Sequence, residues 1–73
     1  MKLPLLSGRE VCKALEKLGY VKVRQRGSHI RPKCPGRKSV TIPNYKEISQ
    51  GLLRKILRDA EISIEEFLKL LEE

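Results

Sequence analysis

Apolar residues recur at helical spacing in three stretches of this chain and alternate with polar ones in between. Val11, Leu15 and Leu18 fall on one face of a helix expected over residues 8 to 18. Ser7 is its N-cap, Glu10 three residues on completes a capping box, and Leu6 with Val11 forms a hydrophobic staple. Gly19 supplies the left-handed stop. The period then changes to two. Val21 and Val23 alternate with Lys22 and Arg24, the pattern of a half-buried strand, and Gln25-Arg26-Gly27 reads as the turn after it. In the next strand Ile30 is the only strongly apolar residue, so it points inward and turns His29 and Arg31 outward. Pro35-Gly36 signals a type II turn. A third strand is expected over residues 39 to 42, with Val40 and Ile42 inward and Thr41 outward. Pro32 and Pro43 have no N–H to give a ladder and belong at strand ends or non-bonding positions. A second helix over residues 50 to 60 buries Leu53, Ile56, Leu57 and Ala60. Ser63 and Glu66 form a second capping box, with Ile62 and Phe67 as its staple, before a short helix carrying Ile64, Phe67, Leu68 and Leu71.

The order α-β-β-β-α with one more short helix defines an α+β class: a three-stranded antiparallel sheet with its helices on one face. No repeat or long linker interrupts the 73 residues, which are expected to form one domain over 1–73. The apolar strand residues face the helices. Lys22, Arg24, His29, Arg31 and Thr41 are left on the open face.

Charge sharpens this picture. The chain carries a net +7, and residues 20 to 46 hold eight lysines and arginines with no acid among them. Residues 61 to 73 set five glutamates against Lys69. A continuous basic middle with an acidic end is the asymmetry of a chain that meets a polyanion. Other classes fall away. Leu3-Pro4-Leu5-Leu6 is too short and too broken for a secretory signal, and no segment is apolar enough to span a membrane, so a cytoplasmic protein with reduced thiols is expected. Cys12, Cys34 and His29 are three potential ligands without a Cys-x-x-Cys pair or a fourth member, so neither a metal nor another cofactor is expected.

Several stretches in order resemble the HicA toxins. They are Leu-Ser-Gly-Arg-Glu-Val and Leu-Glu-Lys-Leu-Gly-Tyr around the first helix, Val-Arg-Gln-Arg-Gly-Ser-His through the hairpin, and Val-Thr-Ile-Pro-Asn after it. Gly-Leu-Leu-Arg-Lys-Ile-Leu-Arg-Asp-Ala and Ile-Ser-Ile-Glu-Glu-Phe follow near the end. The resemblance implies a double-stranded-RNA-binding-like fold, an mRNA-cleaving endoribonuclease activity, and neutralisation by a HicB-type antitoxin. It places His29 of Gly27-Ser28-His29 where the family has its catalytic histidine. The chain departs from the family at Tyr45, where histidine is frequent after Pro-Asn, at Gly51-Leu52 in place of Gly-Thr, and at Glu61 in place of a helix-ending glycine.

The chemistry fits those residue types. RNA brings its own nucleophile, the 2′-hydroxyl, so an enzyme needs a base for that proton and cations for the charged phosphorane. Imidazole exchanges protons near neutral pH and suits the first task. Lys22, Arg24 and Arg31 suit the second, and Lys22, Arg24, Arg26, Ser28, Arg31, Lys33, Arg37 and Lys38 are the expected RNA contacts. Lysines and arginines spread along strands position a phosphate backbone and do not read bases. Ser28 is a turn or hydrogen-bonding residue, since no acid lies nearby to complete a Ser-His-Asp set. With one histidine in the sequence, a two-histidine mechanism cannot operate within one chain, and the acid is expected to be water, Tyr45, a lysine or His29 once protonated. A free monomer or weak oligomer is expected. The competing readings are a non-catalytic RNA-binding module, against which the scarcity of aromatics beyond Tyr20 and Tyr45 argues, and a regulatory protein docking an acidic partner.

Overall fold

The computed structural model describes residues 3–72, with the side chains of residues 22–24 outside the description. The expectations placed on the Lys22, Val23 and Arg24 side chains therefore lie outside the described residues. The first helix, α1, spans Gly8–Glu16. Its capping box is complete: the Glu10 N–H donates to Ser7 Oγ at 3.2 Å and the Ser7 N–H donates to Glu10 Oε1 at 3.0 Å. The helix ends two residues before the expected boundary because its last turn tightens, with Lys17 and Leu18 donating to Ala14 and Leu15. Gly19 then takes φ +116°, and the Tyr20 N–H closes back on the Leu15 carbonyl at 3.1 Å.

Three antiparallel strands follow in the order β1-β2-β3: β1 Val21–Arg26, β2 His29–Lys33 and β3 Ile42–Pro43. Three differences from the expected strands share one cause, the pairing of distant residues. First, Val21 is 61% exposed instead of buried. The register breaks between Lys22 and Arg24, and an extra residue on one strand reverses which face its neighbours take. Second, the turn is Gly27-Ser28, not Gln25-Arg26-Gly27, since Arg26 still pairs with His29. Gly27 has φ +57° at the first loop position, as a two-residue hairpin of the II′ kind requires. Third, the third strand pairs only through Ile42 and Pro43. Residues 38 to 40 are held otherwise, by the Tyr20 hydroxyl donating to the Lys38 carbonyl at 2.8 Å. The alternation there survives without a ladder: Val40 and Ile42 are buried and Thr41 is exposed. Because β3 is so short, Pro32 has a strand neighbour on one side only, so its missing donor leaves no gap in the sheet.

The type II turn is present over residues 34 to 37, with Gly36 at φ +82° and the Arg37 N–H donating to the Cys34 carbonyl at 3.0 Å. Helix α2 spans Gln50–Asp59, capped by Ser49, and α3 spans Ile64–Glu72. Ser63 caps α3 through the Glu66 N–H at 3.1 Å, while its hydroxyl faces the Glu66 carboxylate at 3.5 Å. Between these helices Glu61 adopts φ +59°, the left-handed conformation usual for glycine.

The core is a cluster of Val11, Leu15, Tyr20, Ile30, Ile42, Ile48, Leu53, Leu57 and Phe67 from all three helices, two of the strands and the connecting segments. Helix α1 packs on β1, β3 and α3, and α2 packs on α3. The start of α1 touches the chain just past β3 so closely that a Cβ on Gly8 would collide with the Pro43 carbonyl oxygen and lie 2.9 Å from Asn44 Cα. Among the described residues no helix is long and apolar enough to cross a membrane.

Candidate active site

His29 opens β2, directly after the two-residue turn, with Arg26 opposite it on β1 and Pro43 opposite it on β3. The burial pattern along β2 is strictly alternate, so His29, Arg31 and Lys33 stand on the open face while Ile30 and Pro32 enter the core. Residues directly opposite in an antiparallel pair share a face. Arg26 therefore stands beside His29. Arg26, Gly27, His29, Arg31 and Thr41 together line an open depression of about 550 Å³.

The turn is clamped to the far side of the site. The Ser28 carbonyl accepts the Asn44 N–H at 2.6 Å, and the Tyr45 carbonyl accepts the Gly8 N–H at 2.9 Å. The loop carrying His29, the end of β3 and the start of α1 are thus joined by backbone bonds, which limits how far the imidazole can drift.

The expected contact residues separate into groups. Arg26 and Arg31 gather with His29. Lys33 shares their face but lies four residues along β2, about 13 Å from His29 at the usual strand rise. Ser28 is exposed and contributes its carbonyl to the clamp. Arg24 pairs in backbone register with Arg31 and Lys22 with Pro32, but their side chains lie outside the described residues. Lys38 is exposed, beyond the type II turn. Arg37 is turned elsewhere. Its guanidinium donates to the Ala60 carbonyl at 2.8 Å and the Glu61 carbonyl at 3.4 Å, satisfying the end of α2. Thr41 and Gly27 line the site without having been among the expected contacts. For Thr41 the signal was present in the alternation around Val40 and Ile42.

The aromatics also separate. Tyr20 is 1% exposed, hence unavailable to a base, and burial, followed by the neighbouring Cys34, raises its hydroxyl above the usual pKa of 10.0. Tyr45 is 50% exposed. Among the described residues no three His, Cys, Asp or Glu side chains cluster as metal ligands. A second groove of similar volume runs between α1 and α3, but Glu10, Lys13, Glu16 and Lys17 line it with opposite charges side by side.

The arrangement is a single imidazole flanked by guanidinium groups on an open face. It can take a proton while cations hold a phosphate, and its openness admits a polymer that continues on both sides. The family profile described as HicA toxin of bacterial toxin–antitoxin matches residues 8–62, so the chain belongs to the HicA toxin family. In three dimensions it is similar to a chain of a toxin–antitoxin complex from Streptococcus pneumoniae, with a TM-score of 0.70 and 29% identity over 78% of this chain and 98% of that one. Among curated proteins none matches.

Proposed function

We propose that this toxin is a metal-independent endoribonuclease that cleaves mRNA in the cytoplasm, with His29 as its base, and that residues 1–73 act as one HicA-like unit. The observation that carries the reading is the placement of His29 between Arg26 and Arg31 on an open basic face. The imidazole of His29 removes the proton of a 2′-hydroxyl. The oxygen attacks the adjacent phosphorus, and the charge that grows on the phosphorane is met by the guanidinium groups of Arg26 and Arg31. The bond to the 5′-oxygen breaks as that oxygen takes a proton, from the imidazolium just formed or from water. The products are a 2′,3′-cyclic phosphate and a free 5′-hydroxyl. Lys33 and Lys38, both exposed, extend the phosphate track.

A HicB-type antitoxin that covers this face would block His29 and satisfy the exposed cations together. The toxin–antitoxin assembly of the structural neighbour supports such a partner, and a stable complex would bury at least roughly 1,000 Å².

The test is incubation of a long unstructured RNA with the protein in excess EDTA, beside an all-2′-O-methyl copy. Cleavage of the first with 2′,3′-cyclic or 3′-phosphate ends, and survival of the second, is the expected result. Activity restored only by magnesium, or equal cutting of the 2′-O-methyl strand, contradicts the mechanism. Tight binding without any product would establish the non-catalytic RNA-binding module instead.

A further inference from the structure

The lysines and arginines of the open face suit a phosphate backbone, and an unpaired base beside it is best held by a broad aromatic ring. The chain has three aromatic residues, two Tyr and one Phe. Tyr20 and Phe67 are sealed in the core, at 1% and 0% exposure, whereas Tyr45 is half exposed. Its place in the fold is specific. Pro43 is the ladder partner of His29, the Asn44 N–H binds the Ser28 carbonyl, and Tyr45 is the next residue. One paired-strand step and two chain steps set its Cα within about 12 Å of that of His29. The Gly8 N–H holds the Tyr45 carbonyl at 2.9 Å, and Gly8 is packed against the Pro43–Asn44 backbone too tightly for any side chain. An aromatic ring on a backbone fixed from two sides loses little freedom when a ligand lies against it. Exposed Lys46 follows it.

We propose that Tyr45 is the stacking platform for an unpaired nucleobase beside the cleaved phosphodiester, acting through its ring face and not through its hydroxyl. The proposal rests on the reading of His29 as the centre of RNA cleavage. It assigns Tyr45 a binding role and removes it from the candidates for the general acid.

The experiment compares wild type, Tyr45→Ala and Tyr45→Phe for binding a short 2′-O-methyl RNA of mixed sequence, which has no nucleophile to be cleaved. The all-RNA strand is then used for single-turnover cleavage, and melting curves control for folding. Tyr45→Ala is expected to weaken binding about ten-fold, within the range for a stacked base lost to alanine, with an unchanged salt slope. Tyr45→Phe should bind within two-fold of wild type and cleave at the wild-type rate once saturated. Equal binding by wild type and Tyr45→Ala overturns the proposal, as does a Tyr45→Phe variant that binds as poorly as Tyr45→Ala or cleaves more slowly than wild type once saturated. If wild type binds but never cleaves, the endoribonuclease reading falls, while a ten-fold loss in Tyr45→Ala still supports the stacking role.

Discussion

Arg37 and Arg31 are both cations in the basic middle of the chain, and replacing each by alanine should have opposite consequences. The Arg37 guanidinium bonds the Ala60 carbonyl at 2.8 Å and, less closely, the Glu61 carbonyl at 3.4 Å. Hydrogen bonds from a charged donor contribute about 1.5–3 kcal/mol. Here the residue is only half-buried and the second bond is long, so about 1–2 kcal/mol is the reasonable figure after discounting for solvent. The favourable placement of a cation at a helix C-terminus describes the same contact and is not added. For a domain of this size each kcal/mol moves the melting temperature by about 4–8 °C, so Arg37→Ala should melt roughly 5–15 °C lower. Its RNA affinity should keep the wild-type salt slope. Arg31→Ala, on the exposed face, should melt within a few degrees of wild type and flatten that slope by roughly 0.7, one phosphate contact. Thermal melting by circular dichroism and RNA titrations over a salt series measure both. An Arg37→Ala variant that melts like wild type while its salt slope flattens would refute the division of labour.

Two further substitutions test the packing. Tyr20→Phe removes the hydroxyl bond to the Lys38 carbonyl and should cost about 1 kcal/mol at neutral pH. Because burial raises the Tyr20 hydroxyl above 10.0, its contribution is fully present below pH 10 and lost as pH rises beyond it, so the gap between the two proteins should narrow above pH 10 in parallel melts. Glu61→Gly relieves a left-handed residue at φ +59° and should raise stability by about 0.5–1 kcal/mol after the extra freedom of glycine in the unfolded chain is counted. A loss of stability in chemical denaturation would show that the Glu61 side chain contributes more than its backbone costs.

What could be read from the sequence depended on the range of the interaction. The Ser7–Glu10 box and the Pro35-Gly36 turn are closed within four residues, and both are present as expected. Alternation around Ile30 placed His29 and Arg31 on the open face because a strand offers only two directions. The break between Lys22 and Arg24 was not legible, since a register shift belongs to two strands and neither shows it alone. The same holds for Arg26, whose place beside His29 follows from pairing and shortens the expected turn. Arg37 reads as a phosphate contact in any charge count. The carbonyls it bonds within the chain lie more than twenty residues away, at the end of α2, and only packing brings them together. β3 was overestimated because Val40 and Ile42 keep a strand's alternation while the Tyr20 and Arg37 side chains, not a ladder, hold the approach to it.

The central claim is that one exposed imidazole, held between cations, performs the proton transfer that cuts RNA. Single-turnover cleavage of an unstructured RNA by His29→Ala, beside wild type and in excess EDTA, tests it most directly. The rate should fall by about 10²–10⁴-fold, the usual contribution of general acid–base help, while the melting temperature stays close to that of wild type because the side chain lies outside the core. Cleavage by His29→Ala at the wild-type rate would contradict the account.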